Sequence, residues 1–113
     1  MYWVVWSFDV KVEQVKAFER AYGPDGEWQQ LFRRAPGYAG TELRRESDRR
    51  GHYLTIDRWH TRADYERFKD AFATQYQMLD VRCARMTDAE NKVGDFEMSS
   101  DEKGEEKASH GDV

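Results

Sequence analysis

The chain of 113 residues has one cysteine, Cys83, which leaves no intrachain disulfide and no Cys-rich zinc site to consider, and makes a reducing, cytoplasmic setting the expected one. Only two prolines are present, each beside a glycine in "GPDG" (residues 23–26) and "PG" (residues 36–37), so the helical and strand patterns are interrupted at few places. The opening apolar run stops at Trp6, far short of the roughly 20 residues that a membrane-spanning helix needs, and the N-terminus has no basic export signal. No membrane partner is expected. Positive charge is not in excess either. The net charge is −4, most of it in the last stretch, where Asp101, Glu102, Glu105, Glu106 and Asp112 face only Lys103 and Lys107. A near-neutral body offers no footprint for a phosphate backbone, so no nucleic-acid partner is expected. Glycine-rich nucleotide loops and H-E-x-x-H are missing, and His52, His60 and His110 lie at no metal-ligand spacing, so neither a cofactor nor a metal is expected.

What the chain does have is aromatic residues, 14% of the total. In "YWVVWSFDV" (residues 2–10) one parity carries Tyr2, Val4, Trp6, Phe8 and Val10, while the other opens with Trp3 and Val5 before turning polar. A one-sided strand alternates apolar with polar, so both faces of this one call for cover. Val15, Phe18 and Tyr22 then recur at helical steps, and a shorter helical piece, "EWQQLFRRA", follows. "YAGTELRRE" and "HYLTIDRW" read as strands joined by the polar loop "SDRRG" into an antiparallel hairpin. Thr61 and Asp64 suggest a capping box, after which Tyr65, Phe68, Phe72, Tyr76, Leu79, Cys83 and Met86 predict one long helix, bent or split near Asp80. "KVGDFEM" supplies a short edge strand.

The order βαββαβ specifies a ferredoxin-like α+β domain over residues 1–98, an antiparallel sheet with helices on one face. Residues 99–113, acidic and without aromatics, are expected to be a disordered tail, since they bury too little to offset their ordering entropy. Helices on one face leave the other open, and a second copy of the same sheet is the simplest cover. The expected partner is therefore the chain itself, in a homodimer that closes an α+β barrel.

The segments 2–28, 31–43 and 53–68, with Pro-Gly-Tyr before the second strand and a Trp closing the third ahead of "TRADY", resemble the antibiotic biosynthesis monooxygenase domain family. The resemblance covers Tyr2 to Glu97. It implies a dimeric α+β barrel and, among the family's activities, oxidation of electron-rich phenols or quinols without metal or flavin. Haem-degrading relatives are expected to offer a His from the second long helix and an Asn on the first strand, and residues 61–86 and 2–10 contain neither. A non-catalytic homodimer that binds a small ligand is the alternative that the sequence leaves open.

Alternation places Tyr53, Thr55, Asp57 and Trp59 on one face, two polar groups among aromatics on a sheet that is expected to be covered on both sides. A pocket lined by that face accounts for the mixture. The resemblance assigns Trp59 the family's strand-end position, where its indole N–H is free to donate to a substrate oxygen; a core role is the plainer one. Tyr65 is a candidate acid, base or oxyanion donor, or a core residue with its hydroxyl at the rim. Asp57 is a candidate general base if desolvated, or the partner of Arg58 from a neighbouring chain or of an arginine on the second strand. Thr55, Tyr53, Trp6, Phe68, Phe72 and Trp28 complete the expected wall against a small aromatic molecule. His60, on the opposite parity to Trp59, suits the surface or an interface. The pairs Arg33-Arg34 and Arg44-Arg45 read as a solvated rim.

Overall fold

The structure is a computed structural model that describes residues 1–99. Most of the acidic tail, residues 100–113, therefore lies outside the described residues. The elements in chain order are β1 (Tyr2–Val10), α1 (Val15–Tyr22), α2 (Glu27–Phe32), β2 (Tyr38–Arg45), β3 (His52–Trp59), α3 (Arg62–Ala71), α4 (Ala73–Cys83) and β4 (Thr87–Glu97). Single 3₁₀ turns precede α1 and follow α4. The four strands form one sheet in the order β2-β3-β1-β4, with every neighbour antiparallel. This is the ferredoxin-like arrangement, with the helices on one face.

The alternation in β3 is complete: Tyr53, Thr55, Asp57 and Trp59 are buried, while His52, Leu54, Ile56 and Arg58 are half-exposed. β1 lies beside it with Tyr2 opposite Trp59, Val4 opposite Asp57 and Phe8 opposite Tyr53. The inner face thus stacks large rings against the helices. Phe18 of α1 packs on Tyr22 at 4.2 Å and edge-on to Phe8 at 5.2 Å, while Phe68 of α3 meets Phe32 at 5.2 Å and Trp59 at 5.1 Å. Phe18 and Trp59 are wholly buried, and removing a ring of that kind from a core costs about 3–5 kcal/mol.

Two segments differ from the sequence reading. The long helix divides at Phe72 (φ −117°, ψ 27°), whereas Asp80 lies within α4. Neither Pro nor Gly causes the break, and the bonds Phe72 N–H to Phe68 O and Tyr76 N–H to Phe72 O are both kept. The turn lets the helix follow the core: Phe68 and Tyr76, on opposite sides of it, remain 6.1 Å apart edge-to-face. The last strand begins at Thr87, well before Lys92, and pairs with the whole of β1. "TDAEN" has little strand propensity, so the partner strand rather than its own composition extends it. At the start of α3 half of the capping box forms, the Asp64 N–H donating to Thr61 Oγ1 at 3.0 Å, while the Asp64 carboxylate pairs with Arg67.

The outer face of the sheet answers the double parity of β1. Trp3, opposite Phe96 of β4 and Arg58 of β3, stays 41% exposed, and Phe96 is 48% exposed. No helix among the described residues covers them.

Candidate functional site

Between the inner face of the sheet and the helices lies a cavity. The sheet contributes Trp6 and Phe8 from β1, Thr41 from β2, Thr55 and Asp57 from β3 and Glu90 from β4; the helices contribute Tyr22, Trp28, Phe32, Tyr76 and Asp80. Counted with its open mouth, the space between the walls is about 390 Å³, of which about 30 Å³ admits the centre of a water molecule. That is room for about two waters. An aromatic ligand therefore enters only if the rings that line the cavity turn aside.

Asp57 is the chemically distinctive group on this wall. It is 9% exposed, and the Thr41 hydroxyl donates to its Oδ1 at 2.9 Å. Thr41 lies directly across the strand pair from Asp57, so the ladder itself sets this contact. Tyr38 Oη lies 2.5 Å from Thr41 Oγ1, and since Thr41 gives its proton to Asp57, Tyr38 is the donor of that contact. A chain of hydroxyls thus ends on a buried carboxylate. Burial raises the Asp57 pKa to about 7, against the opposing pull of the Thr41 bond, whereas an ordinary aspartate titrates near 3.8. Within the chain, Arg58 and Arg44 both reach Glu42 instead, at 3.1 and 3.3 Å, on the outer face.

Of the residues expected to form the site, all but Tyr53 fall into two groups. Asp57, Thr55, Trp6 and Trp28 meet on the cavity wall. Trp59, Tyr65, Phe68 and Phe72 form an adjoining aromatic cluster outside that wall: Trp59 contacts Tyr65 at 5.7 Å and Phe68 at 5.1 Å, and Phe72 stacks on Phe68 at 5.5 Å under the guanidinium of Arg34. The Trp59 indole N–H is fully buried and has no acceptor among the described residues. Tyr65 is pushed up to about 12, by burial first and then by the charges of Asp95 and Asp57, so its phenol remains a proton donor at neutral pH. Tyr53 packs against Phe18 at 5.0 Å and gives its hydroxyl to Glu19. His60 is exposed, and His52 meets Asp9 at 2.8 Å.

The sequence reading missed Thr41, Tyr38, Asp80 and Glu90. Thr41 was legible in principle, because a hairpin register fixed from the loop "SDRRG" pairs it with Asp57. Glu90 was not, since the last strand was expected to begin only at Lys92. Among the described residues no cluster of three or more His, Cys, Asp or Glu side chains is arranged to hold a metal ion, and no helix is long and apolar enough to cross a membrane.

Topology and cavity together define a class of small α+β proteins that enclose an aromatic-lined space between one antiparallel sheet and its helices. Within that class, the family model described as "Antibiotic biosynthesis monooxygenase" matches residues 1–75, more than half of the chain, and the chain belongs to that family. Solved structures agree on the fold. SnoaB, a cofactor-independent oxygenase from Streptomyces nogalater, is 20% identical with a TM-score of 0.65, over 88% of this chain and 93% of its own. A candidate antibiotic biosynthesis monooxygenase from Deinococcus radiodurans superposes with a TM-score of 0.70 at 11% identity, over 88% of this chain and 94% of its own. Another from Nitrosomonas europaea has a TM-score of 0.64 at 18% identity, over 87% and 98%. Such identities speak for the fold alone. No curated protein matches the chain.

Proposed function

We propose that the protein is a cofactor-independent oxygenase that acts on an electron-rich phenolic or quinol molecule, with Asp57 as the general base. The observation that supports this most is the buried Asp57 carboxylate on the cavity wall, held by Thr41 and Tyr38. A base that titrates near the working pH combines a useful fraction of the ionised form with enough basicity to take a phenolic proton. The phenolate then passes one electron to dioxygen, giving a phenoxyl radical and superoxide, which couple at the ring carbon para to the oxygen. With the proton first taken by Asp57 returned, the resulting hydroperoxide loses water to leave a quinone where that carbon carries hydrogen, and loses hydrogen peroxide to leave it where the substrate is a quinol. One phenol and one O₂ thus become one quinone and one H₂O. The aromatic walls exclude bulk water and give the ring a stacking surface. Beyond the wall, Tyr65 and the Trp59 N–H are the donors offered to a developing oxyanion. SnoaB, described as a cofactor-independent oxygenase, supports the reading by shared fold.

A homodimer belongs to the same proposal. The apolar strip of Trp3 and Phe96 on the outer face suits a second copy of the sheet. The small room inside the cavity favours a second reading, a non-catalytic dimer that binds a small ligand.

The test is dioxygen uptake by purified, metal-free protein against a panel of hydroquinones, anthrones and catechols, with Asp57→Asn and Trp59→Ala in parallel. Saturable uptake that falls at least about 100-fold in Asp57→Asn supports the enzyme, as removal of a general base requires. Binding without uptake selects the second reading.

A further inference from the structure

Phenol oxidation asks only for an electron-rich ring, yet the cavity is more particular than that. Three carboxylates face it, Asp57 from β3, Asp80 from α4 and Glu90 from β4, and among the described residues no Lys, Arg or His lines it. The carboxylates of Asp80 and Glu90, both half-buried, are engaged in no hydrogen bond or ion pair among the described residues. They repel each other: Glu90 titrates above the usual carboxylate range because of burial first and the Asp80 charge second. Asp57, nine-tenths buried, meets a donor on Oδ1 alone, which leaves its other oxygen without one. The remaining walls are largely aromatic, with Trp6, Tyr22, Trp28 and Tyr76 among them. Lys69 stands 4.4 Å over the Tyr76 ring but is not on the wall. Negative charge without a counter-charge, enclosed by π-faces, is the chemistry that recognises an organic ammonium ion.

We propose that the cavity selects a phenol bearing a protonated amine, the ammonium resting between Asp80 and Glu90 against the aromatic wall and the phenolic hydroxyl directed to Asp57. This rests on the phenol-oxidising reading and narrows its substrate class. It accounts for two carboxylates that the oxidation itself does not use.

Calorimetric titration of the purified protein with tyramine, neutral 4-ethylphenol and anionic 3-(4-hydroxyphenyl)propionate separates the charge preference from the ring. Tyramine is expected to bind about tenfold or more tighter than 4-ethylphenol, the anion weakest, and the preference to shrink with added salt. In Glu90→Gln with Asp80→Asn the preference for tyramine over 4-ethylphenol is expected to fall to about threefold or less. If the double variant does not fold by circular dichroism, Glu90→Gln alone, at a half-buried edge-strand position, should at least halve the ratio. Equal or tighter binding of 4-ethylphenol, an unchanged ratio in the folded variant, or no binding of any probe overturns the proposal. Selective tyramine binding without oxygen uptake on any phenol or aminophenol would sustain the ammonium site and overturn the oxygenase reading instead.

Discussion

At the scale of single residues, Asp57 concentrates both the stability and the chemistry. Its folded pKa of about 7 exceeds the unfolded value near 3.8, so between these limits the folded state binds the extra proton. Stability from this group is therefore fully present below about pH 4 and declines as pH rises through about 7. By linkage the loss is on the order of 4 kcal/mol when complete. Chemical denaturation at pH 5 and pH 8 should show this decline in the wild type and its near disappearance in Asp57→Asn, while kcat/KM of the wild type should rise with pH about an apparent pKa near 7. Trp59 allows a second separation. Its N–H is buried without an acceptor, so Trp59→Phe discards an unsatisfied donor along with some packing and should change stability by only about 1 kcal/mol. If that N–H serves the oxyanion, oxygen uptake should nevertheless drop about tenfold or more, as expected for loss of a hydrogen bond to a charged group.

At the scale of elements, the joint between β2 and α3 controls how the aromatic cluster meets the cavity. Gly37, just ahead of β2, has φ +92°, and a Cβ there would lie within 2.5 Å of Asp64 side-chain atoms in the first turn of α3. Gly37→Ala thus combines a left-handed conformation with a clash against the helix that carries Tyr65 and Phe68. Its cost should be at least about 2 kcal/mol in urea unfolding, with altered near-UV dichroism from displaced Trp59. The hairpin was legible because β3 alternates fully and its flanking loop is polar. The break at Phe72 was hidden, because the apolar steps run through it without Pro or Gly.

For the whole molecule, the proposed dimer rests on the outer face of the sheet. Trp3 and Phe96 face each other across β1 and β4 beside Arg58, exposed on the side the helices do not cover. If a second copy covers this strip, the wild type should sediment at twice the mass of one chain, and Trp3→Glu should convert it to a monomer with its far-UV dichroism retained. A monomeric wild type at micromolar concentration would remove the dimer from the proposal.

Composition and periodicity by themselves determined the class of fold, the buried face of β3 and the presence of Asp57 among aromatics, because alternation and helical spacing are local properties that the chain carries along its length. They did not determine which of those residues share one cavity. Trp59 and Tyr65 are near Asp57 in the sequence but pack into a neighbouring cluster, while Thr41, Asp80 and Glu90 come to the cavity wall from three other elements. Strand register and the turn between α3 and α4 settle that, and both depend on how whole elements pack, which no short stretch of sequence encodes.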